Sequence, residues 1–138
     1  MITINVEQSV LKDEQKLPKD LIMHVQEAVN GTVPMKKDGV IEVAFVSEAH
    51  IQRLNRTHRG KDTITDVLSF EYPDQKDIIG DVAICYNQAK RQAQEGILKE
   101  VVDLLVHGIL HVLGYDHEKS GQDKLMFSLQ DKIVDLLL

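Results

Sequence analysis

Apolar and polar residues alternate from Ile2 to Glu7, the two-residue period of an edge or half-buried strand. Pro18 then opens a helix that runs to about Asn30, with proline in the first turn and Gly31 as the C-terminal stop. Val40 to Val46 is apolar except for Glu42 and predicts an inner strand. Ser47 can cap a helix from Glu48 to about His58, ended by Gly60. Asp66 to Phe70 and Asp81 to Tyr86 predict two short strands, with Pro73 and Gly80 in the loop between them. Asn87 caps a polar helix to about Glu95, Gly96 interrupts, and Ile97 to Leu113 forms a longer helix. Ser120-x-x-Asp123 reads as the capping box of a last helix.

The order β-α-β-α-β-β-α-α-α neither alternates strictly nor segregates strands from helices. The expected fold class is therefore α+β, a small mixed β-sheet packed with helices. The 138 residues show no repeat, linker or break in composition, so one domain over residues 1–138 is expected. With 43% hydrophobic and 28% charged residues, the balance is that of a folded domain and excludes a disordered tail or a fibre. No stretch of about 18 apolar residues exists to span a membrane. No signal peptide is expected, because no basic region followed by an apolar core opens the chain. A lone cysteine, Cys85, rules out an internal disulfide framework, and a cytoplasmic location is expected. Sixteen Lys and Arg against 22 Asp and Glu leave a net charge of −6, which excludes a uniformly basic nucleic-acid binder. With 4% aromatic residues and no Trp, a platform of stacked bases is not expected either.

The segment Ile97 to Leu113 carries the chemistry. Eleven of its 17 residues are apolar, so most of it must be buried. Lys99, Asp103, His107 and His111 step by four and draw one polar stripe along it. His107 and His111 lie on one helical face, Gly114 can end the helix, and His117 follows, giving His-x-x-x-His-x-x-Gly-x-x-His. Two histidines four apart recur by chance as surface or core residues. A third behind a helix-ending glycine points instead to a metzincin-like three-histidine metal site at the end of a buried helix. Three imidazoles and one open position are the catalytic zinc arrangement, in which a bound water reaches a pKa of about 7. A structural zinc usually closes its shell with a fourth Cys or His, and Cys85 reads better as a buried strand residue. Zinc peptidases of this spacing carry Glu directly after the first His as general base; here that position is Gly108.

Two further segments stand out. Arg53 to Lys61 holds Arg53, Arg56, Arg59 and Lys61 with no acid, a patch suited to RNA phosphates within an acidic chain. The bland reading of Arg53 and Arg56 is a solvated helix face; Arg59, beside Gly60, is better placed to point into a site. Asp62 to Phe70 is mostly turn chemistry running into a strand. Within it Asp66 is a candidate to meet a metal-bound water or orient a ligand histidine. Asp103, one turn before His107, and Asp116, beside His117, are candidates to hold the ligand rings. His24, His50 and His58 read as surface residues.

Together, three segments resemble one family. His107-Gly108-Ile109-Leu110-His111-Val112-Leu113-Gly114-Tyr115-Asp116-His117 is similar to the signature of the YbeY-type endoribonucleases, also called rRNA maturation factors. Asn55-x-x-x-Arg59 with Thr65-Asp66-Val67-Leu68-Ser69-Phe70, and Gly80-Asp81-Val82-Ala83-Ile84, resemble its other shared blocks. One departure is Gln130, where the family usually has Glu in the last helix. The resemblance implies a single-strand-specific, metal-dependent endoribonuclease of the bacterial cytoplasm. It implies one zinc ion held by His107, His111 and His117, with Arg59 as a functional arginine and His111 and Arg59 as the catalytic pair. The implied substrate is ribosomal RNA, above all the 3′ end of the small-subunit (16S) rRNA, with ribosome quality control as a second role. The small ribosomal subunit and its associated proteins are the implied partners. With no Glu at 108, the proton acceptor stays open between the metal-bound water, Asp66 and another group, or the RNA 2′-OH is the nucleophile. The rival readings are a non-catalytic, zinc-containing ribosome-assembly factor and a zinc peptidase.

Overall fold

The N-terminal alternation forms strand β1 (Ile2–Glu7), which buries Ile2 and Ile4 and pairs parallel to β2 (Gly39–Phe45). The structure is a computed structural model and describes residues 1–34, 37–116 and 121–138. After β1 come α1 (Lys19–Thr32) and, beyond β2, α2 (Glu48–Arg59), β3 (Val67–Glu71) and β4 (Ile78–Ile84). Helices α3 (Tyr86–Gln92), α4 (Ile97–Val112) and α5 (Gln122–Leu137) complete the chain. The sheet order is β1-β2-β4-β3, with β3 antiparallel to β4 and the other pairings parallel. This is the small mixed sheet of an α+β fold. No helix among the described residues is long and apolar enough to cross a membrane.

The outer edge of β1 is closed by side chains of α1. The Ile2 amide donates to Asn30 Oδ1 (2.8 Å), Asn30 Nδ2 donates back to the Ile2 carbonyl (2.8 Å), and the Ile4 amide donates to Gln26 Oε1 (2.9 Å). Strand β3 forms the opposite edge of the sheet. Leu68 and Ala83 point to one face, where they pack with Ile51 of α2. Val82 and Ile84 point to the other face, with the apolar residues of α1, α4 and α5.

Helix α4 lies against that second face unusually closely. A Cβ at Gly108 would meet Val82 Cγ1 at 2.6 Å and Val67 Cγ2 at 3.3 Å. Opposite Gly80 of β4 the same holds for Val112, whose Cγ1 would be 2.6 Å from an added Cβ. The Ser69 hydroxyl of β3 donates to the Gly108 carbonyl (3.2 Å). The buried row Val101, Leu104, Leu105, Gly108 and Val112 faces inward, so Lys99, Asp103, His107 and His111 are turned to the partly exposed side.

Several predicted boundaries shift for local reasons. Helix α1 runs through Gly31 to Thr32, because the buried Val29 and Val33 continue its apolar row and the Val33 amide bonds the Val29 carbonyl. Strand β4 begins before Asp81, at Ile78, which pairs with Val40, and it ends at Ile84. Asn87 does not cap α3. The Cys85 amide is still tied to the Asp66 carbonyl (2.8 Å), the helix starts directly after it, and no side chain caps it. Gly121 stands at the N-cap of α5 with φ 85°, no side chain caps there, and Ser120 lies outside the described residues.

The close approach at Gly108 predicts that Gly108→Ala destabilises the protein. Alanine in a helix normally gains about 1 kcal/mol over glycine. Here the added methyl meets a stiff, buried, β-branched side chain, and overpacking of this kind costs about 1–3 kcal/mol. Chemical denaturation should show a net loss of stability, recovered in part by Val82→Ala in the same chain. A stability equal to or above the parent's would contradict the packing.

Candidate metal centre

The polar stripe of α4 divides into two halves. In the first, Lys99 Nζ bonds Asp103 Oδ2 (2.9 Å) and lies 3.4 Å from Glu95 Oε2. The Asp103 hydrogen bond holds the Lys99 ammonium above its usual pKa. A cavity of about 400 Å³ opens here, lined by Gln92, Gln94, Glu95, Lys99, Glu100 and Asp103. Its net negative lining does not suit a phosphate.

The second half is the histidine pair. His107 and His111 are both half-buried, with ring centroids 5.8 Å apart. Two imidazoles that share one zinc at a tetrahedral angle, with Zn–N of about 2.1 Å, have centroids about 5.2 Å apart. The pair is within a small ring rotation of that spacing. His107 Nδ1 is 3.0 Å from Gln130 Oε1 of α5. An amide oxygen only accepts, so this contact is a hydrogen bond in the Nδ1–H tautomer, which has its lone pair on Nε2. Metal-bound histidines commonly donate their second ring N–H in this way. The donor chemistry therefore fits a zinc ion. Phe127, three residues before Gln130, stacks on the His107 ring at 6.2 Å.

Just past His111 the helix closes as the glycine predicts. Gly114 has φ 103°; its amide bonds the His111 carbonyl (3.0 Å), and the Tyr115 amide bonds the Leu110 carbonyl (3.1 Å). This double closure turns the chain and leaves Asp116 half-buried at the helix end. His117, the third imidazole of the spacing, lies outside the described residues. Among the described residues, no three His, Cys, Asp or Glu side chains group as a metal site.

The basic segment ends on the far side of the edge strand. Arg53, Arg56, Arg59 and Lys61 are all exposed, and Arg59 closes α2 before Gly60, which has φ 70°. Asp62, just beyond the segment, folds back to Arg56 (3.5 Å) and Gln52 (3.1 Å). Arg53, Arg59 and Lys61 form no ion pair among the described residues. The last turn of α2 is fixed in two ways. The His58 ring lies 4.8 Å from Phe70 of β3, and Asn55, 2% exposed, donates to the Thr63 carbonyl (2.9 Å). Ser69, the neighbour of Phe70, reaches the opposite face and bonds the α4 backbone. Strand β3 thus stands between the basic turn and the histidine pair. His24, His50 and His58 are exposed, as the sequence predicts.

Asp66 is committed to the strand entrance. Its Oδ1 accepts from its neighbour's amide, Val67 N (2.8 Å), and from Thr65 Oγ1 (3.3 Å). Its Oδ2 accepts from Gln92 Nε2 (2.7 Å), which also donates to Glu100 (2.9 Å). The sequence reading passed over Gln92 and noted Gln130 only as a departure from the family, with no role at the site. For Gln130 a signal was present: it interrupts the row Met126, Gln130, Val134, whose two apolar members are buried. A polar residue in such a row needs a partner. Gln92 had no comparable signal, because its partners are distant in sequence.

Cys85 is buried on the α2 face with Ile51, Leu68 and Ala83, across the sheet from the histidines, so it cannot join them. Burial pushes its thiol pKa up. A raised pKa lowers the thiolate fraction at neutral pH, and the thiolate is the reactive form. Iodoacetamide should therefore alkylate Cys85 at least tenfold more slowly in the native protein than in denaturant. Equal rates would show that the thiol is accessible.

The profile of the family described as Endoribonuclease YbeY matches residues 3–137. A Carboxydothermus hydrogenoformans protein named Endoribonuclease YbeY is 38% identical over 133 residues, covering 92% of this chain and 93% of that protein. One of the same name from Persephonella marina is 40% identical, covering 97% of this chain and 90% of its own. The solution structure of a Thermotoga maritima protein superposes with a TM-score of 0.67 at 32% identity, over 99% of this chain and 89% of that one.

Proposed function

This chain belongs to the endoribonuclease YbeY family, and on that basis we propose that it is a zinc-dependent endoribonuclease acting on single-stranded ribosomal RNA. Its main target is the 3′ end of 16S rRNA, cut late in maturation of the small subunit in the cytoplasm. Ribosome quality control is a second task of the same activity. The small subunit and its associated proteins are the partners that place an acidic chain on RNA.

The observation that carries the zinc part of this reading is the His107 and His111 pair on one face of α4, with ring centroids 5.8 Å apart. His107, His111 and His117 are the residues that would hold the zinc ion. When bound there, zinc supplies a Lewis acid for the scissile phosphate. The exposed Arg53, Arg59 and Lys61 attract the RNA backbone, while the acidic cavity at the start of α4 turns it away. Single-stranded RNA therefore approaches across β3 from the α2 side. Arg59 gives its fork of N–H groups to the negative charge that builds on the phosphate oxygens in the transition state. Asp66, Asp103 and Asp116 act from the surroundings, keeping elements and rings in place.

A peptidase is disfavoured by more than a missing carboxylate. A Cβ at position 108 would stand 2.6 Å from Val82 Cγ1, so the peptidase's general base could be placed there only by displacing the buried Val82. The assembly-factor reading draws on the His107–Gln130 contact, which ties α4 to α5. It expects His107→Ala to unfold the chain and the parent to cut no RNA.

Substitutions separate the roles. The parent should carry close to one zinc per chain and cleave single-stranded RNA. His111→Ala should lose both. Arg59→Ala should keep the zinc and lose about 10²- to 10³-fold in cleavage, as for removal of one charge-stabilising donor. Elemental analysis beside a cleavage assay reads both quantities. Unchanged cleavage in Arg59→Ala removes that residue from the chemistry, and zinc without cleavage in the parent favours the assembly factor.

A further inference from the structure

Gln130 lies on the inward row of α5 between the buried Met126 and Val134, where an apolar residue would complete the core. Its amide oxygen instead lies 3.0 Å from His107 Nδ1, and Phe127, on the same side of α5, stacks on the ring. Two side chains of one helix thus meet a single imidazole on another, one at Nδ1 and one on its face. Free neutral histidine favours the proton on Nε2, so the Nδ1–H form that a hydrogen bond to Gln130 Oε1 requires is one that the protein has to impose. The group that imposes it is neutral and takes no charge from the ring.

We propose that Gln130 is a positioning residue for the metal site: it holds His107 in the Nδ1–H tautomer and so aims Nε2 as the metal-binding nitrogen. The inference rests on the zinc reading above and adds to it the residue that prepares the ligand before any metal arrives. A simple brace between α4 and α5 would affect stability alone. A positioning residue also determines the tautomer in the metal-free protein and the affinity for the ion.

The test uses the full chain as parent, Gln130→Leu and Gln130→Glu. Long-range 15N–1H correlation spectra of the metal-free proteins, taken well above the imidazole pKa of about 6.5, read the His107 tautomer. Competition with a chromophoric chelator reads zinc affinity, and thermal unfolding confirms that each variant is folded. The parent should show Nδ1–H at His107. Gln130→Leu should shift the proton to Nε2 and weaken zinc binding about 10- to 100-fold, the usual cost of losing a group that orients a ligand. Gln130→Glu, whose carboxylate accepts the same proton, should bind zinc at least as tightly as the parent. A folded Gln130→Leu with the parent's tautomer and affinity overturns the proposal while leaving the zinc site standing. So does a metal-free parent with Nε2–H. If Gln130→Leu does not fold, Gln130→Glu decides: weakened zinc binding there overturns the proposal. A parent that binds no zinc removes the zinc reading and this inference together.

Discussion

The approach of α4 to the sheet at Gly108 is the constraint on which the site depends. With no side chain at 108, the helix backbone settles against Val82 and Val67, and the Ser69 hydroxyl reaches the Gly108 carbonyl. Gly80 makes the matching concession in β4, where Val112 takes the space of a missing Cβ. A helix pressed down at these two points cannot rotate about its axis without driving Val112 or the 108 position into the sheet. That fixes the direction of the stripe. His107, next to the pressed residue, and His111, next to the second contact, are brought to the partly exposed side, toward α5.

The histidine pair thereby sits where three kinds of surface meet. Toward the start of α4 the stripe is acidic and already paired through Lys99. Toward α5 it meets an amide and an aromatic ring. Around the edge strand β3 it meets the end of α2, where Arg56 is paired with Asp62 but Arg53, Arg59 and Lys61 form no ion pair among the described residues. The net charge of −6 conceals this division. Closure of the β1 edge by Asn30 and Gln26 leaves β3, the strand beside the site, as the opposite edge of the sheet. Among the described residues, the α2 side is the approach on which charge favours an anionic chain.

Much of this was legible in the sequence, because the strongest signals were local. The element order, the edge character of β1, the inner position of β2 and the Ser47 cap follow from period and capping chemistry. The Ser47 cap is realised by a hydrogen bond from the His50 amide (3.1 Å). The stripe His107, His111 and the turn at Gly114 are also local, and they stand as read. What the chain did not disclose depends on partners far apart in sequence. Gly31 looked like a stop, yet burial of Val29 and Val33 carries α1 past it. Asn87 looked like a cap, yet the Cys85 amide is held by Asp66 and the helix starts before Asn87 can act. Gly108 told against a peptidase by lacking a carboxylate, and the structure adds a packing reason for glycine there. Gln130 looked like a neutral departure outside the motifs, yet it lies against His107.

The central claim is that α4, the turn after it and α5 prepare an imidazole-only site for zinc. X-ray absorption at the zinc edge of the freshly purified parent protein tests it most directly. The account predicts one zinc per chain in a shell of three imidazole nitrogens and one oxygen donor from solvent at about 2.0 Å, with no sulfur. A sulfur scatterer near 2.3 Å, or a protein purified without metal that takes up none, would contradict it.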